Sequence, residues 1–388
     1  MLMQILTVIL IHALPALTII HGLSIPVGPV FYLIIAVFAV QIPLLLFGRD
    51  VAFLKDGAGA RLIYRLSMLS FVLILDLFLA SLVHLLVRGA LAAAKLDVLG
   101  SLTIYPVFGL AVLHVFWGLV NARRLTARRV VFDPEGFPAT WRGRRLLFFS
   151  DTHYGTLNGP GMAEKLVRDI GKLNPDIIIN GGDLFDGPRG KYDSTLAVLS
   201  RLKAPLGVLA VLGNHDYFYL SRPGSSKDLL RRQRNRDVME LGPGTRWAAV
   251  RSALPWRFLE NESMEIDGVI FAGLRPFSRP DEAAALEFLS GLEKSKPTVL
   301  INHKPNHVEE AAAAGVNLQL SGHTHGGPVF PVNIIMRHLL KGRHHGTSKV
   351  DGMVLDVSSG SGISLWYPRT AGRHELVVVD FSAENSRR

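Results

Sequence analysis

Residues 145–155 read RLLFFSDTHYG, a short apolar run followed by an aspartate and a histidine two positions apart and then a glycine. A run of this length, bounded by a turn signal, predicts a buried strand over 145–150. Asp151 and His153 then fall just past its carboxyl end. The same arrangement recurs four times. DIIIN (176–180) precedes GGDLFDG, with Asp183 and Asp186. LGVLAVL (206–212) precedes GNHDYF, with Asn214, His215 and Asp216. TVLIN (298–302) precedes His303, and NLQLS (317–321) precedes GHTHGG, with His323 and His325. A further strand is expected at 269–274. Helical patterns lie near 161–173, 192–202, 226–240, 281–293 and 305–314. This alternation predicts an α/β fold with largely buried strands, in which ligands gather beyond the carboxyl ends of the strands.

Each of those five ends carries side chains that bind metals. A single buried histidine usually satisfies a hydrogen bond, whereas a His-x-His pair in a turn too glycine-rich to pack a core is suited to an ion. Asp151, His153, Asp183, Asn214, His303, His323 and His325 make seven candidate ligands. They are too many for one tetrahedral ion and suit two divalent transition-metal ions that share a carboxylate. The chain has no cysteine, so thiolate sites, disulfides and cysteine nucleophiles are excluded. A nitrogen and oxygen ligand set suits Mn, Fe, Zn or Co.

The 388 residues are 49% hydrophobic, and the excess lies in residues 1–122. Apolar runs at about 3–22, 29–47, 66–88 and 102–120 approach the ~20 residues that span a bilayer. The first lacks a basic leader and is followed by three more runs, so it reads as a retained span. The expected organisation is a four-helix transmembrane domain (1–122), a basic linker (123–142) and a catalytic domain (143–382). The 23–28 loop has no Lys or Arg. The 48–65 loop carries Arg49, Lys55, Arg61 and Arg65, and Arg123, Arg124, Arg128 and Arg129 follow the fourth run. These two basic segments lie on one side, which the positive-inside rule makes cytoplasmic. Arg88 and Lys95 weakly oppose this assignment. The protein is therefore expected in a bacterial-type inner or plasma membrane as a multi-pass protein with a cytoplasmic catalytic domain. Its net charge of +10 fits contact with anionic membrane lipids. No nucleic-acid-binding motif is present, and nucleic acid is not an expected partner. Asp76 lies within the third run. An intramembrane carboxylate is a functional candidate by default, and the plainer reading is a packing contact with His12, His84 or His114.

The five blocks resemble the calcineurin-like metallophosphoesterase superfamily: Asp151-Thr-His153, Gly182-Asp183, Gly213-Asn214-His215-Asp216, His303 and Gly322-His323-Thr-His325, in that order. The apolar N-terminus is similar to the membrane branch of that superfamily. The resemblance implies a β-sandwich flanked by helices, across about 143–380. It implies one metal on Asp151, His153, Asp183 and His325, and a second on Asp183, Asn214, His303 and His323, with Asp183 bridging. His215 would be catalytic, stabilising the transferring phosphoryl group or protonating the leaving oxygen. Asp216 would orient it, with Asp186 a candidate partner.

The expected activity is hydrolysis of a phosphate ester or pyrophosphate by metal-activated water, on a lipid-linked, phospholipid-like substrate. The alternatives are a membrane-anchored phosphodiesterase for soluble nucleotides and a non-catalytic membrane scaffold. Two inserts bear on the choice. Residues 217–245 contain Arg231, Arg232, Arg234 and Arg236, and 331–349 place Ile334, Ile335, Leu339 and Leu340 near Arg337, Lys341 and Arg343. The second insert reads either as an interfacial helix or as a surface helix packed on the core. His338, His344 and His345 are expected to face solvent.

Overall fold

The computed structural model describes residues 2–54, 57–133, 136–155, 157–186, 192–220, 246–276, 282–362 and 367–382. The arginine-rich stretch of the 217–245 insert and the helix expected at 226–240 lie outside the described residues. The chain divides into two compact units: residues 1–123 with 365–370, and residues 124–364 with 371–388.

The first unit is helical: α1 (Leu2–Gly22), α2 (Pro29–Leu54), α3 (Ala58–Ala93), α4 (Asp97–Leu102) and α5 (Ile104–Asn121). Among the described residues, three stretches are long and apolar enough to cross a membrane, Pro29–Gly48, Ala58–Ala93 and Asp97–Asn121. Four were expected. The remaining apolar helix, α1, spans 21 residues, Leu2–Gly22, of which the stretch Thr7–Gly22 counts among the described residues. The third run also extends beyond 66–88. At 1.5 Å per residue its 36 residues reach about 54 Å, longer than a hydrocarbon core. The unit has an apolar outer surface and an interior in which apolar side chains such as Phe38, Ile74 and Leu77 enclose a few polar ones. Leu33, Val40, Leu86 and Leu113 are exposed, whereas Ser67, Ser81, Asp76 and His84 are buried. Hydrocarbon leaves no other place for polar groups than the helix interfaces. His114 Nδ1 donates to Asp76 Oδ2 at 2.8 Å, and His84 pairs with Thr103 Oγ1 at 2.8 Å. Of the three histidines considered as partners for Asp76, the one in direct contact is thus His114.

The second unit is built on strands β1 (Leu125–Phe132), β2 (Arg145–Phe149), β3 (Tyr154–Gly155), β4 (Ile177–Asn180), β5 (Phe185–Asp186), β6 (Val208–Ala210) and β7 (Arg257–Phe258). They are followed by β8 (Glu262–Ile266), β9 (Val269–Gly273), β10 (Thr298–Ile301), β11 (Leu318–Ser321), β12 (Gly346–Val350), β13 (Met353–Val357) and β14 (His374–Phe381). One six-stranded sheet has the order β1-β14-β2-β4-β6-β7 and the other β12-β13-β11-β10-β9-β8, and β3 and β5 form a small ladder. Helices α6 (Pro160–Leu173), α7 (Tyr192–Leu199), α8 (Asn214–Leu220) and α9 (Trp247–Ala253) accompany the first sheet. Helices α10 (Glu282–Ser290), α11 (Val308–Ala313) and α12 (Val332–Leu339) accompany the second.

Strand periodicity explains the layering. In β2, Leu146 and Phe148 point between the sheets, where they meet Phe271, Val299 and Leu320 of the other sheet. Leu147 and Phe149 point the other way, into a cluster with Ala163, Leu166 and Ile170 of α6. That helix starts with Pro160 at its first turn and ends on Asn174 in a left-handed cap. On the far face of the second sheet, Ile270, Leu300 and Leu355 pack on Ala285 and Leu289 of α10 and on Val308 of α11. The architecture is therefore a β-sandwich flanked by helices, with central strands parallel.

Residues 123–142 are not simply a linker. Leu125–Phe132 form β1, which pairs in parallel with β14 over its whole length. Its charged, alternating sequence hid this, since one face of an edge strand is wet. Arg128 of β1 donates to both oxygens of Asp356 on β13 at 2.8 and 2.7 Å, and to Glu375 on β14 at 3.0 and 3.2 Å. It ties the two sheets together. Burial by itself would raise the Glu375 carboxyl. Hydrogen bonds from His345 and Arg128 overcome this and hold it at about 2. Its folded pKa thus lies below the unfolded value of about 4.3, so its contribution is present above that pH and lost as pH falls toward 2. Arg128→Gln leaves two buried carboxylates short of a partner and should cost the second unit about 3–5 kcal/mol. Unfolding followed against pH should show the loss at neutral pH, with less further destabilisation between pH 4 and 2 than in the parent.

Candidate metal centre

Every candidate residue lies just beyond the carboxyl end of a central strand. Asp151 and His153 follow β2, Asp183 follows β4, and Asn214 and His215 open α8 after β6. His303 follows β10, and His323 and His325 follow β11. The first five belong to one sheet and the last three to the other, so only the sandwich brings them together.

Two groupings form. Asp151, His153 and His325 offer ligand atoms within 4.8 Å of one another, and so do Asp183, His303 and His323. In the first, His153 Nε2 faces His325 Nε2 at 3.2 Å, and Asp151 Oδ1 lies 4.0 and 3.8 Å from these two nitrogens. One oxygen belongs to both groups: Asp183 Oδ2 is 3.8 Å from His153 Nε2 and 3.2 Å from His303 Nε2. Its other oxygen, Oδ1, accepts the His215 backbone N–H at 2.8 Å. Asp151, His153, Asp183 and His303 are buried, and His323 is exposed. Asn214 Oδ1 is buried with no hydrogen-bond partner.

The backbone is strained to achieve this. Asp151, His153, Asp183, His323 and His325 all have positive φ, between 47° and 72°. Such conformations cost of order 1 kcal/mol or more each in a residue with a side chain and persist only where neighbours enforce them. Here Asp151 N–H donates to Gly182 O at 2.9 Å and His153 N–H to Asp183 O at 3.1 Å. The His323 N–H is shared between both Asp151 oxygens at 3.1 Å. A Cβ at Gly213 would fall 2.0 Å from Asp183 Oδ1, and one at Gly322 would fall 2.3 Å from Asp151 Oδ2. The carboxylates occupy the space that a side chain would need.

The electrostatics fit a cation. His303 Nδ1 donates to Gly181 O at 2.8 Å, which leaves Nε2 as a lone pair. That lone pair faces the Asp183 carboxylate. Two acceptors at 3.2 Å in a dry site need positive charge between them. Burial opposes charge on His303, yet the adjacent Asp183 raises it to about 9, so the space between these two atoms holds a positive charge, from a proton or a metal ion. Burial alone would raise Asp183 as well, but His303, His215 and His153 hold it well below the usual carboxylate range. Burial pushes His153 down, which keeps it neutral as a ligand imidazole must be.

His215 stands beside this cluster, its ring 4.8 Å from that of His153 and nearly perpendicular to it. Its Nδ1 lies 3.0 Å from Asp186 Oδ1. The carboxylate beside the His215 ring is thus that of Asp186, not that of Asp216, which the sequence suggests. Asp216 instead accepts the backbone N–H groups of Phe185 and Gly213 at 2.8 Å each, fastening β5 to the turn after β6. Burial and the nearby Asp183 push Asp216 up to about 7, against those two N–H donors. The sequence reading missed the segment Ser358–Gly362. Ser361 and Gly362 donate backbone N–H groups to Ser150 O and Asp151 O, and a Cβ at Gly360 would press on Asp151 and His325. Its glycine and serine content was the available signal. The histidines of the second insert divide. His338 is exposed, while His345 lies 3.3 Å from Glu375 Oε1.

Comparison with known proteins agrees with this geometry. The calcineurin-like phosphoesterase family profile matches residues 144–327. A bovine transmembrane protein with metallophosphoesterase domain is 28% identical over 272 residues, covering 64% of this chain and 55% of that protein. An uncharacterized metallophosphoesterase of Aquifex aeolicus is 30% identical over 254 residues, covering 62% of this chain and 86% of that protein. The UDP-2,3-diacylglucosamine pyrophosphatase LpxG of Chlamydia muridarum is 26% identical over 222 residues, covering 50% of this chain and 66% of that protein. The matches span from about half to under two thirds of the length of the bovine relative and of its counterparts in zebrafish and Helicobacter pylori. Metal-binding groups gathered at the strand ends of a helix-flanked sandwich, together with these matches, identify the chain as a member of the calcineurin-like metallophosphoesterase family.

Proposed function

We propose that this chain is a membrane-bound phosphohydrolase with a dinuclear metal centre, cleaving a phosphate ester or pyrophosphate bond of a lipid-linked substrate with water as nucleophile. The observation that carries the reading is the single oxygen, Asp183 Oδ2, which faces His153 of one ligand cluster and His303 of the other, histidines that stand on opposite sheets. Asp151, His153, Asp183 and His325 would hold one divalent ion, and Asp183, Asn214, His303 and His323 the other, from among Mn, Fe, Zn and Co. When bound, such ions lower the pKa of a water molecule and offset the charge that builds up on the phosphoryl oxygens. The protein's own groups supply the rest. Asp186 holds His215 through Nδ1, leaving Nε2 to face the substrate. From there His215 gives a proton to the leaving oxygen, worth about 10²–10⁴-fold. The Asp186 carboxylate steadies the charge on the ring before that transfer.

The lipid-linked reading is supported by the three membrane-length helices and by the name of the Chlamydia relative, which gives a diacylated sugar nucleotide as that protein's substrate. The proposed organisation is a membrane domain over 1–122 followed by a catalytic domain on the cytoplasmic side. The basic 48–65 segment and the basic stretch after α5 are separated by α3 and α5. They share a side whether or not α1 crosses, and that side is inside by the positive-inside rule.

Purified protein should carry close to two transition-metal ions per chain, and Asp183→Asn should lose both, read by elemental analysis. A single ion retained by that variant would refute the shared ligand. Hydrolysis of lipid phosphates by the detergent-solubilised enzyme, compared with a nucleotide panel, decides the substrate class. Activity confined to nucleotides would overturn the lipid assignment. His215→Ala and Asp186→Asn should keep the metals and lose roughly 10²-fold on substrates with poor leaving groups. The loss should shrink as the leaving group improves, and a uniform loss across the series would remove the proton-donor role. A reporter fused after Arg388 should behave as cytoplasmic, and external reporter activity would reverse the topology.

A further inference from the structure

The catalytic unit buries most of its large apolar side chains. Among its described residues, Val131 and Leu286 are exposed singly, while Phe330, Ile334, Ile335 and Leu339 are exposed within ten consecutive residues. Three of these lie on α12. Ile334, Ile335 and Leu339, with His338, share one face of the helix. A surface helix of a globular protein normally turns its apolar stripe to the core. Here no residue of α12 is buried, and Ile334, Ile335 and Leu339 are 55%, 55% and 71% exposed. The stripe faces outward, and a clustered exposed patch marks an interaction surface.

The chemistry around the patch selects the partner. From 328 to 350 the chain has no acidic residue, and it carries Arg337, Lys341, Arg343 and Lys349. Arg343 is tied to Glu309 at 2.6 Å, while Arg337 and Lys341 are exposed at the end of the helix. Apolar side chains rimmed by cations match the headgroup region of an anionic bilayer, with the hydrophobic residues among the acyl chains and the cations at lipid phosphates. The same chain carries three helices of membrane-crossing length.

We infer that the exposed face of α12 inserts into the surface of an anionic membrane. The consequence for the metal centre is direct. A Cβ at Gly327 would fall 2.4 Å from Asn333 Cα, and Thr324 Oγ1 donates to His344 O. The insert is thus fastened at both ends to the turn that carries His323 and His325. Seating α12 in the headgroup layer sets the height of that turn above the lipid phosphates. The inference does not depend on the substrate being a lipid.

The absence of cysteine allows a direct test on the full chain. Single cysteines at Ile335→Cys and Leu339→Cys, with Ser295→Cys as an exposed control, are labelled with an environment-sensitive fluorophore. The protein is then reconstituted into vesicles of phosphatidylcholine with phosphatidylglycerol. Labels at 335 and 339 should shift to the blue and be quenched several-fold more than the 295 label by nitroxide-bearing lipids. The difference should shrink in pure phosphatidylcholine, at high salt, and on adding Arg337→Glu with Lys341→Glu. Equal quenching at all three positions would overturn the proposal. A blue shift that vanishes as protein is diluted into excess lipid would do so as well, since it would assign the patch to a second copy. None of these positions is buried, so the variants should fold.

Discussion

One carboxylate oxygen organises this structure. Asp183 Oδ2 faces histidine nitrogens from both sheets, while Oδ1 is held by the His215 backbone N–H. With one oxygen spent on the backbone, the other is left to the two clusters. A dry pocket lined by carboxylates and imidazole lone pairs is repulsive by itself, because each acceptor has lost its water. Cations reverse the sign of that interaction. The pocket therefore makes sense as a site organised for positive charge, and its residues are of little use to stability without it.

Holding such a pocket open is a task for the rest of the unit. The ligand turns sit in left-handed backbone conformations at five side-chain-bearing positions, each a local cost. The strands beneath them are among the most buried parts of the chain, with Leu146, Phe148, Ile179, Val299, Ile301 and Leu320 fully enclosed. Their apolar burial provides the stability against which the strained turns are held. Asp216, Asp151 and the Ser358–Gly362 segment then fix the turns to one another by hydrogen bonds rather than by packing. The result is a rigid base with little freedom at the rim, which a reaction needing defined ligand geometry requires.

The helical unit obeys a different solvent. Its buried serines, Asp76 and His84 lie between helices among buried apolar residues, and many of its leucines and valines lie outside, where the catalytic unit is mostly polar. Three residues separate α5 from β1, so the basic sequence that follows the last helix is already structural. Its arginines Arg128 and Arg129 pair with Asp356, Glu375 and Asp380 in the sandwich.

Much of this was legible in the residues alone. Six central strands announce themselves as apolar runs, because strands buried on both faces have no polar alternation to confuse them. The candidate ligands follow those runs directly, so their positions at strand ends are a local property. Edge strands were not legible. Leu125–Phe132 and Gly346–Val350 are half wet and rich in charged or polar residues, and only pairing with β14 and β13 makes them strands. The partner of His215 could not be chosen from sequence either. Asp216 is its neighbour in the chain and Asp186 is its neighbour in space, and only the approach of β5 to α8 decides between them. Sequence determined which groups this chain offers and at which strand ends. The closure of one sheet over the other decided which of them share an oxygen, because ligands at the ends of separate sheets meet only when the layers pack.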